Sequence, residues 1–184
     1  TWLIESAKWH RGTHDLGFMI GDSFGKAYQL TEEQSYRDVM LQAARTLCTR
    51  FSSKVGCIRS WDHNADKWKF PVIIDNMMNL EMLFESYLLT GDKSFYDIAV
   101  SHANVTMKNH FREDYSSFHV VDYDPVTGVV RSRVTHQGYS DDSFWSRGQG
   151  WALYGYTMCY RYTHDRRYLE QAMNVAKFLF SLKN

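Results

Sequence analysis

Proline is scarce in this sequence, with 2 in 184 residues beside 11 glycines. So few helix breakers permit long helices and argue against a proline-rich linker. The three cysteines, Cys48, Cys57 and Cys159, show no CxxC spacing, so neither a disulfide framework nor a structural zinc site is predicted. No apolar run approaches the ~20 residues of a membrane span, which argues against a membrane-spanning protein.

An excess of either charge is also lacking, because 21 Lys and Arg balance 21 Asp and Glu. Nucleic acids and anionic membranes require a basic surface, so neither is predicted as a partner. The length fits one domain or two small ones. The first residue is Thr1 rather than Met, so we expect a processed chain or a piece of a longer one. What the sequence has in abundance is aromatic residues, at 16%. Sugar rings stack on aromatic faces, although most aromatic side chains simply fill cores.

An internal repeat organises the chain. Each copy has a threonine, an aromatic residue five positions later and then small or apolar residues at four-residue steps. The copies are Thr31, Tyr36, Met40 and Ala44; Thr90, Phe95, Ala99 and Ala103; and Thr163, Tyr168, Ala172 and Ala176. Four-residue steps place these side chains on one helix face. A second helical stretch precedes each threonine, and residues 90–92 and 163–165 have turn and capping residues, so each copy predicts an αα-hairpin.

Two segments between the hairpins differ in character. Residues 57–71 are expected to form a loop that contains Trp61. Residues 118–134 alternate apolar and polar side chains around Asp124-Pro125-Val126-Thr127-Gly128, which predicts a short β-hairpin. Long loops in a helical protein are usually functional.

Three polar residues have equivalent places in the repeat. Asp15 lies 16 residues before Thr31, Asp75 lies 15 before Thr90, and Arg147 lies 16 before Thr163. Each should therefore start the first helix of its hairpin, and all three should face the same end. This predicts a shared acid/base and anion site. The competing explanation for the two aspartates is ordinary N-capping, whereas the helix dipole does not favour arginine at a helix start.

Further polar residues surround these three. His14 precedes Asp15, and residues 135–151 are rich in Gln, Trp, Arg and Gly, which is poor core material and good ligand-binding material. His10 and His14 have the i, i+4 spacing of a metal pair. Because no third ligand is placed, one exposed histidine and one that lines a site are favoured instead, and no metal or other cofactor is predicted.

Three motifs carry a resemblance to a known family. Residues 11–18 (RGTHDLGF), 74–80 (IDNMMNL) and 136–149 (HQGYSDDSFWSRGQ) resemble the unsaturated glucuronyl hydrolases of glycoside hydrolase family 88. The resemblance runs along nearly the whole chain. It implies an all-α fold in which the αα-hairpins form about half of an (α/α)6 toroid, with the β-hairpin near 118–134 as an insertion. It also implies a bacterial cytoplasmic or periplasmic protein.

The resemblance implies the chemistry as well. The substrate would be an oligosaccharide with a Δ4,5-unsaturated glucuronic acid at its non-reducing end, released by hydration of the C4–C5 double bond. Asp75 would be the acid and base, and Asp15 the second carboxylate, stabilising developing positive charge. The remaining implied residues bind substrate: His14, Trp61, His119, Gln137, Trp145 and Arg147. Trp2, Trp9, Trp68 and Trp151 are expected to be core.

Length is where the chain departs from the family, whose members are about twice as long. Residues 1–184 are therefore expected to form one partial domain, from a fragment or a truncation, that self-associates if truncated, because three hairpins cannot close a ring of six. Three alternatives stay open: a non-catalytic sugar-binding relative, a helical-repeat scaffold and an unsaturated rhamnogalacturonyl hydrolase. The scaffold gives no reason for Asp15, Asp75 and Arg147 to converge.

Overall fold

A computed structural model describes residues 2–182. A 3₁₀ helix and a π-helix precede six α-helices, and five short strands lie between the helical hairpins. The helices are the 3₁₀ helix Trp2–Trp9, the π-helix Gly17–Gly25, α1 Lys26–Thr31, α2 Gln34–Cys48, α3 Asn76–Thr90, α4 Lys93–Asn109, α5 Ser146–Thr163 and α6 Arg166–Ser181. The strands are β1 Phe51–Ser52, β2 Cys57–Ile58, β3 Pro71–Ile73, β4 Val120–Tyr123 and β5 Val130–Val134.

The predicted hairpins are confirmed, and the repeated threonine explains their common turn. Thr90 Oγ1 donates to the carbonyl of Ser86 at 2.7 Å and accepts from the amide of Asp92 at 3.2 Å. Thr31 and Thr163 make the equivalent two hydrogen bonds. One hydroxyl thus ends the first helix and starts the turn to the second.

The residue after each threonine adopts a left-handed conformation, at Glu32, Gly91 and His164, with φ between 56° and 73°. Asp92 and Asp165 then cap the returning helices, because their side chains accept hydrogen bonds from the second residue of α4 and α6. The small residues predicted on one face of each returning helix are buried, apart from the half-buried Ala176.

The helices form two layers. The π-helix with α1, then α3 and then α5 make one layer, and α2, α4 and α6 pack behind it. Helix α3 is central and has glycine on both flanks: a Cβ added to Gly17 would lie 2.5 Å from Asn79 Cα, and one added to Gly155 would lie 2.4 Å from Met77 Cβ. These glycines let the neighbouring backbones approach α3 closely. The apolar core lies between the two layers.

The predicted β-hairpin forms, but it is part of a larger sheet. Strands β4 and β5 pair antiparallel, and β3 adds to the other side of β4. The expectation that residues 57–71 are all loop is therefore wrong at both ends, since β2 also pairs with β1. Strands of two or three residues are too short to show an alternating pattern. Proline begins β3, as is usual for an edge strand.

Within residues 2–182, no helix combines the length and apolar character needed to cross a bilayer.

Candidate active site

A cleft of about 500 Å³ opens where the first helices of the three hairpins begin. Asp15 immediately precedes the helical turn that leads into the π-helix, Asp75 is the residue before α3, and Arg147 is the second residue of α5. All three line this cleft, as the count back from the threonines predicts and the scaffold alternative does not. The whole lining comprises Thr13, His14, Asp15, Phe18, Ser60, Trp61, His63, Ile73, Asp75, Met78, His136, Gln137, Arg147 and Trp151.

Asp75 has the environment of a carboxyl group with a raised pKa. Its side chain is 17% exposed, and its Oδ2 has no hydrogen-bond partner among the described residues. Burial raises the pKa of Asp75, and the negative charge of Asp15 raises it further, against the opposing influence of His14 and Arg147. Its side chain makes no capping bond to α3, so ordinary N-capping does not account for it.

Asp15 has the opposite environment. Its side chain is 54% exposed, and its Oδ1 lies 3.2 Å from His14 Nε2. Thr13 Oγ1 donates to its Oδ2 at 3.0 Å. The hydrogen bond with His14 is the main reason that the pKa of Asp15 lies below its usual value. The pKa values of the two carboxyls are thus pushed apart, as in a site where one acts as an acid and the other stays ionised.

His119 lies beside Asp75 rather than in the cleft lining. Its Nδ1 accepts hydrogen bonds from the amides of His136 (3.0 Å) and Gln137 (3.2 Å). Burial lowers the pKa of His119 to about 3, so the ring is neutral and its proton sits on Nε2. That nitrogen is 3.8 Å from Asp75 Oδ2. The amides of His136 and Gln137 therefore orient the His119 ring so that its Nε2–H points toward the buried Asp75 carboxyl.

Arg147, which also lines the cleft, is held by two contacts. Its guanidinium donates to Gln137 Oε1 and lies 4.3 Å from the centre of the Trp145 ring. The Trp145 ring also packs against His119, with centroids 4.3 Å apart. Trp145 is absent from the cleft lining, so it packs behind Arg147, which lines the cleft, and against His119 instead of forming the expected wall itself.

Trp61 does line the cleft, on a loop that Arg50 fastens. Arg50 is almost fully buried and makes a bidentate pair with Asp62, at 2.9 and 3.1 Å. It also donates to the backbone carbonyls of Arg59 and Arg11. One guanidinium thus ties the loop before Trp61 to the segment that leads to Asp15. No sequence motif predicts this role for Arg50, because its partners are the Asp62 carboxylate and two backbone carbonyls that only the fold brings together.

Several lining residues were missed. His63, His136 and Trp151 face the cleft, although Trp151 was expected to be core. Trp68 is buried as expected, whereas Trp2 and Trp9 are 50% and 59% exposed, so their assignment to the core is wrong. Of the histidine pair, His10 is exposed and His14 lines the cleft. The part of the chain described here has no cluster of three His, Cys, Asp or Glu suited to a metal ion.

The fold and cleft define an αα-hairpin protein with a two-carboxylate site at the start of its first-layer helices. A family model, Glycosyl Hydrolase Family 88, matches residues 19–183, and the chain belongs to that family. An unsaturated glucuronyl hydrolase of Formosa agariphila is 51% identical over the whole chain and 46% of its own length. An unsaturated chondroitin disaccharide hydrolase of Streptococcus pneumoniae is 39% identical over 91% of the chain and 42% of its own length.

The crystal structure of an unsaturated glucuronyl hydrolase specific for heparin is similar to 97% of the chain, with a TM-score of 0.94 and 46% identity. This similarity confirms the predicted fold class, αα-hairpins that amount to about half of an (α/α)6 toroid. The chain spans 48% of that structure, and less than half the length of the two relatives above. The family model begins after Asp15, but the Formosa relative aligns across that segment too.

Proposed function

We propose that this chain supplies the catalytic cleft of an unsaturated glucuronyl hydrolase. The observation that carries the proposal is the buried Asp75 carboxyl in a cleft with an ionised Asp15 and Arg147. The pKa of Asp75 is raised, and its Oδ2 has no hydrogen-bond partner within residues 2–182. The names of the Formosa and Streptococcus relatives support the same substrate class. The substrate is an oligosaccharide with a Δ4,5-unsaturated glucuronic acid at its non-reducing end.

The proposed reaction is hydration of the double bond between C4 and C5. The Asp75 carboxyl donates its proton to C4, and positive charge develops at C5 and the ring oxygen. Asp15, already ionised, stabilises that charge. Water then adds to C5 and gives a proton back to the Asp75 carboxylate, so the residue serves first as acid and then as base. The resulting hemiketal opens and releases the remaining sugar. The raised pKa of Asp75 suits the first of these steps.

The other cleft residues fit substrate binding. The Arg147 guanidinium matches a uronate carboxylate, which it can bind through two parallel hydrogen bonds. Trp61 forms part of the aromatic wall of the cleft, with His63 stacked on its ring, and His14 and Gln137 offer hydrogen bonds. His119 and Trp145 do not line the cleft; His119 lies next to Asp75, and the Trp145 ring packs against Arg147. The balanced net charge of the chain does not oppose an anionic substrate, because one local arginine meets its carboxylate.

We also propose that the working domain is larger than these 184 residues. Three hairpins leave the inner layer open, and the chain matches less than half of each relative's length. Further hairpins, from a longer chain or a second copy, would close the ring. For the experiments we define a chimaeric protein, the completed ring, in which these 184 residues replace the matched region of the Formosa relative.

The experiment follows loss of the ultraviolet absorbance of unsaturated chondroitin, hyaluronan and heparin disaccharides, with the 184-residue chain and the completed ring. We expect Asp75→Asn to reduce turnover at least ~10³-fold with unchanged circular dichroism, because an amide can neither donate nor recover that proton. Asp38→Asn, at a 71% exposed side chain on α2, is the matched control and should keep native turnover.

Each other outcome contradicts a stated part of the proposal. Undiminished turnover in Asp75→Asn removes Asp75 from the reaction. Binding without turnover by a folded completed ring favours the non-catalytic sugar-binding alternative. Turnover of unsaturated rhamnogalacturonan disaccharides in place of the three glucuronyl substrates favours the rhamnogalacturonyl alternative. If a cooperatively folded ring shows no binding and no turnover of these substrates, the hydrolase proposal is overturned.

A further inference from the structure

Asp15 occupies the N-cap position of a helix, yet its side chain accepts no hydrogen bond from the Phe18 amide of that helix. The helical run begins at Leu16, so Asp15 is at the N-cap position and Phe18 is the third helical residue. A capping aspartate ordinarily accepts from the amide of the second or third residue. Here the Phe18 amide donates instead to Asn79 Oδ1, at 2.8 Å. The acceptor comes from α3, 61 positions along the chain.

We infer that Asn79 is a positioning residue that caps the Asp15 helix from α3 and so leaves the Asp15 carboxylate free for the cleft. With Phe18 already paired, the nearest capping amide no longer competes for the carboxylate, which turns to Thr13 Oγ1 and His14 Nε2. The inference deepens the proposed function, because it explains how Asp15 is available to a substrate.

The packing around Asn79 supports this role. Asn79 is 1% exposed and is not part of the cleft lining. Its Nδ2 has no partner among the described residues, so the Oδ1 bond to Phe18 is the contact that its amide makes. Gly17 brings the two backbones together at this point, where a Cβ would lie 2.5 Å from Asn79 Cα. A leucine of the same size would fill the site without accepting the hydrogen bond.

Asp75 is kept from capping by a different arrangement. The amides of Met77 and Met78 are not available to the Asp75 side chain, because they donate to the backbone carbonyls of Ile74 and Asp75, both at 3.1 Å. Asn79 lies one turn further along the same helix. A single residue of α3 therefore couples the helix that begins at Asp75 to the helix that begins at Asp15.

The direct test is a double-mutant cycle in chemical unfolding of the 184-residue chain. In the native background, we expect Asp15→Ala to change the unfolding equilibrium constant by about twofold or less, since an exposed carboxylate contributes little. In the Asn79→Leu background, the carboxylate is free to cap Phe18, so Asp15→Ala should cost about fivefold, the typical effect of an N-cap. Non-additivity of this size supports the inference.

Asn76→Leu is the matched control. Asn76 is also fully buried on α3, and its Nδ2 donates to the Ile58 carbonyl at 2.9 Å rather than acting on an amide of the Asp15 helix. Its cycle with Asp15→Ala should be additive. If the Asn79 cycle is additive as well, Asp15 is not freed by Asn79 and the inference is overturned. Should Asn79→Leu fail to fold, Asn79→Ser, whose hydroxyl is too short to reach Phe18, replaces it in the same cycle.

Activity of the completed ring gives a second, independent readout. Asn79→Leu should lower kcat about tenfold with KM changed by less than about threefold, if Asp15 acts on the transition state. Asn79→Asp keeps an acceptor at the helix N-terminus and should restore most of kcat. A loss in Asn79→Asp equal to that in Asn79→Leu contradicts the inference. An inactive ring would count against the proposed function alone, because the unfolding cycle involves no substrate.

Discussion

Two aspartates with the same place in the repeat have opposite surroundings. Asp75 is buried beside neutral His119, and Asp15 is half exposed beside His14. Counting back from the repeated threonines predicts where both lie. It does not predict their environments, since the His119 ring beside Asp75 is held by the amides of His136 and Gln137, which are distant from Asp75 in sequence. The family resemblance implies that Asp75 is the acid, and the physical reason, a raised pKa for Asp75 and a lowered one for Asp15, comes from the structure.

These surroundings give opposite effects of pH on stability. Folding raises the pKa of Asp75. Its contribution to the free energy of unfolding is therefore present at low pH and is lost as pH rises through the folded-state pKa. Asp75→Asn should therefore melt above the native chain at pH 7, and the difference should disappear below about pH 4. Folding lowers the pKa of Asp15, so Asp15→Asn should melt below the native chain at pH 7. Thermal melts at both pH values test this, and a lower melting temperature for Asp75→Asn at pH 7 would contradict it.

The repeat in the sequence predicts where the helices begin and end, but it does not predict which distant segments they contact. The threonine, the left-handed residue and the aspartate cap predict where α3, α4, α5 and α6 end and begin, because those signals are local. The π-helix and strand β3 escape prediction because each depends on a distant partner. Gly17 meets Asn79 across the layer, and β3 exists only by pairing with β4. A π-helix at the start of the Asp15 segment accords with the frequent occurrence of such turns at functional sites.

Two glycines of α5 should respond oppositely to alanine. Gly155 faces Met77, with 2.4 Å between an added Cβ and Met77 Cβ, so Gly155→Ala should lower the free energy of unfolding by about 1–3 kcal/mol through overpacking. Gly150 has nothing within 4 Å of an added Cβ, so Gly150→Ala should raise it by about 0.5–1 kcal/mol through helix propensity. Urea unfolding measures both. Equal effects of the two substitutions would contradict the close α3–α5 packing.

As a whole molecule, the chain brings both carboxyls to one cleft, although it spans less than half the length of its relatives. The described residues place the two carboxyls, Arg147 and Trp61 around one cavity without help from another chain. Phe18 and Tyr154, on the open layer of first helices, are 51% and 39% exposed. Large exposed apolar side chains are typical of surfaces that contact further protein. We therefore expect the completed ring to melt at a higher temperature than the 184 residues alone, and equal melting temperatures would contradict an open layer.

Protonation of C4 by the cleft is the central claim, and labelling from heavy water tests it most directly. The completed ring is given an unsaturated chondroitin disaccharide in deuterium oxide, and the released uronate is examined by nuclear magnetic resonance in the first turnovers. Hydration through Asp75 predicts one deuterium on one face of C4, together with loss of the ultraviolet absorbance as the sugar is released. Release of a sugar whose uronate still absorbs and carries no deuterium at C4 would show direct cleavage of the glycosidic bond, and would contradict the account.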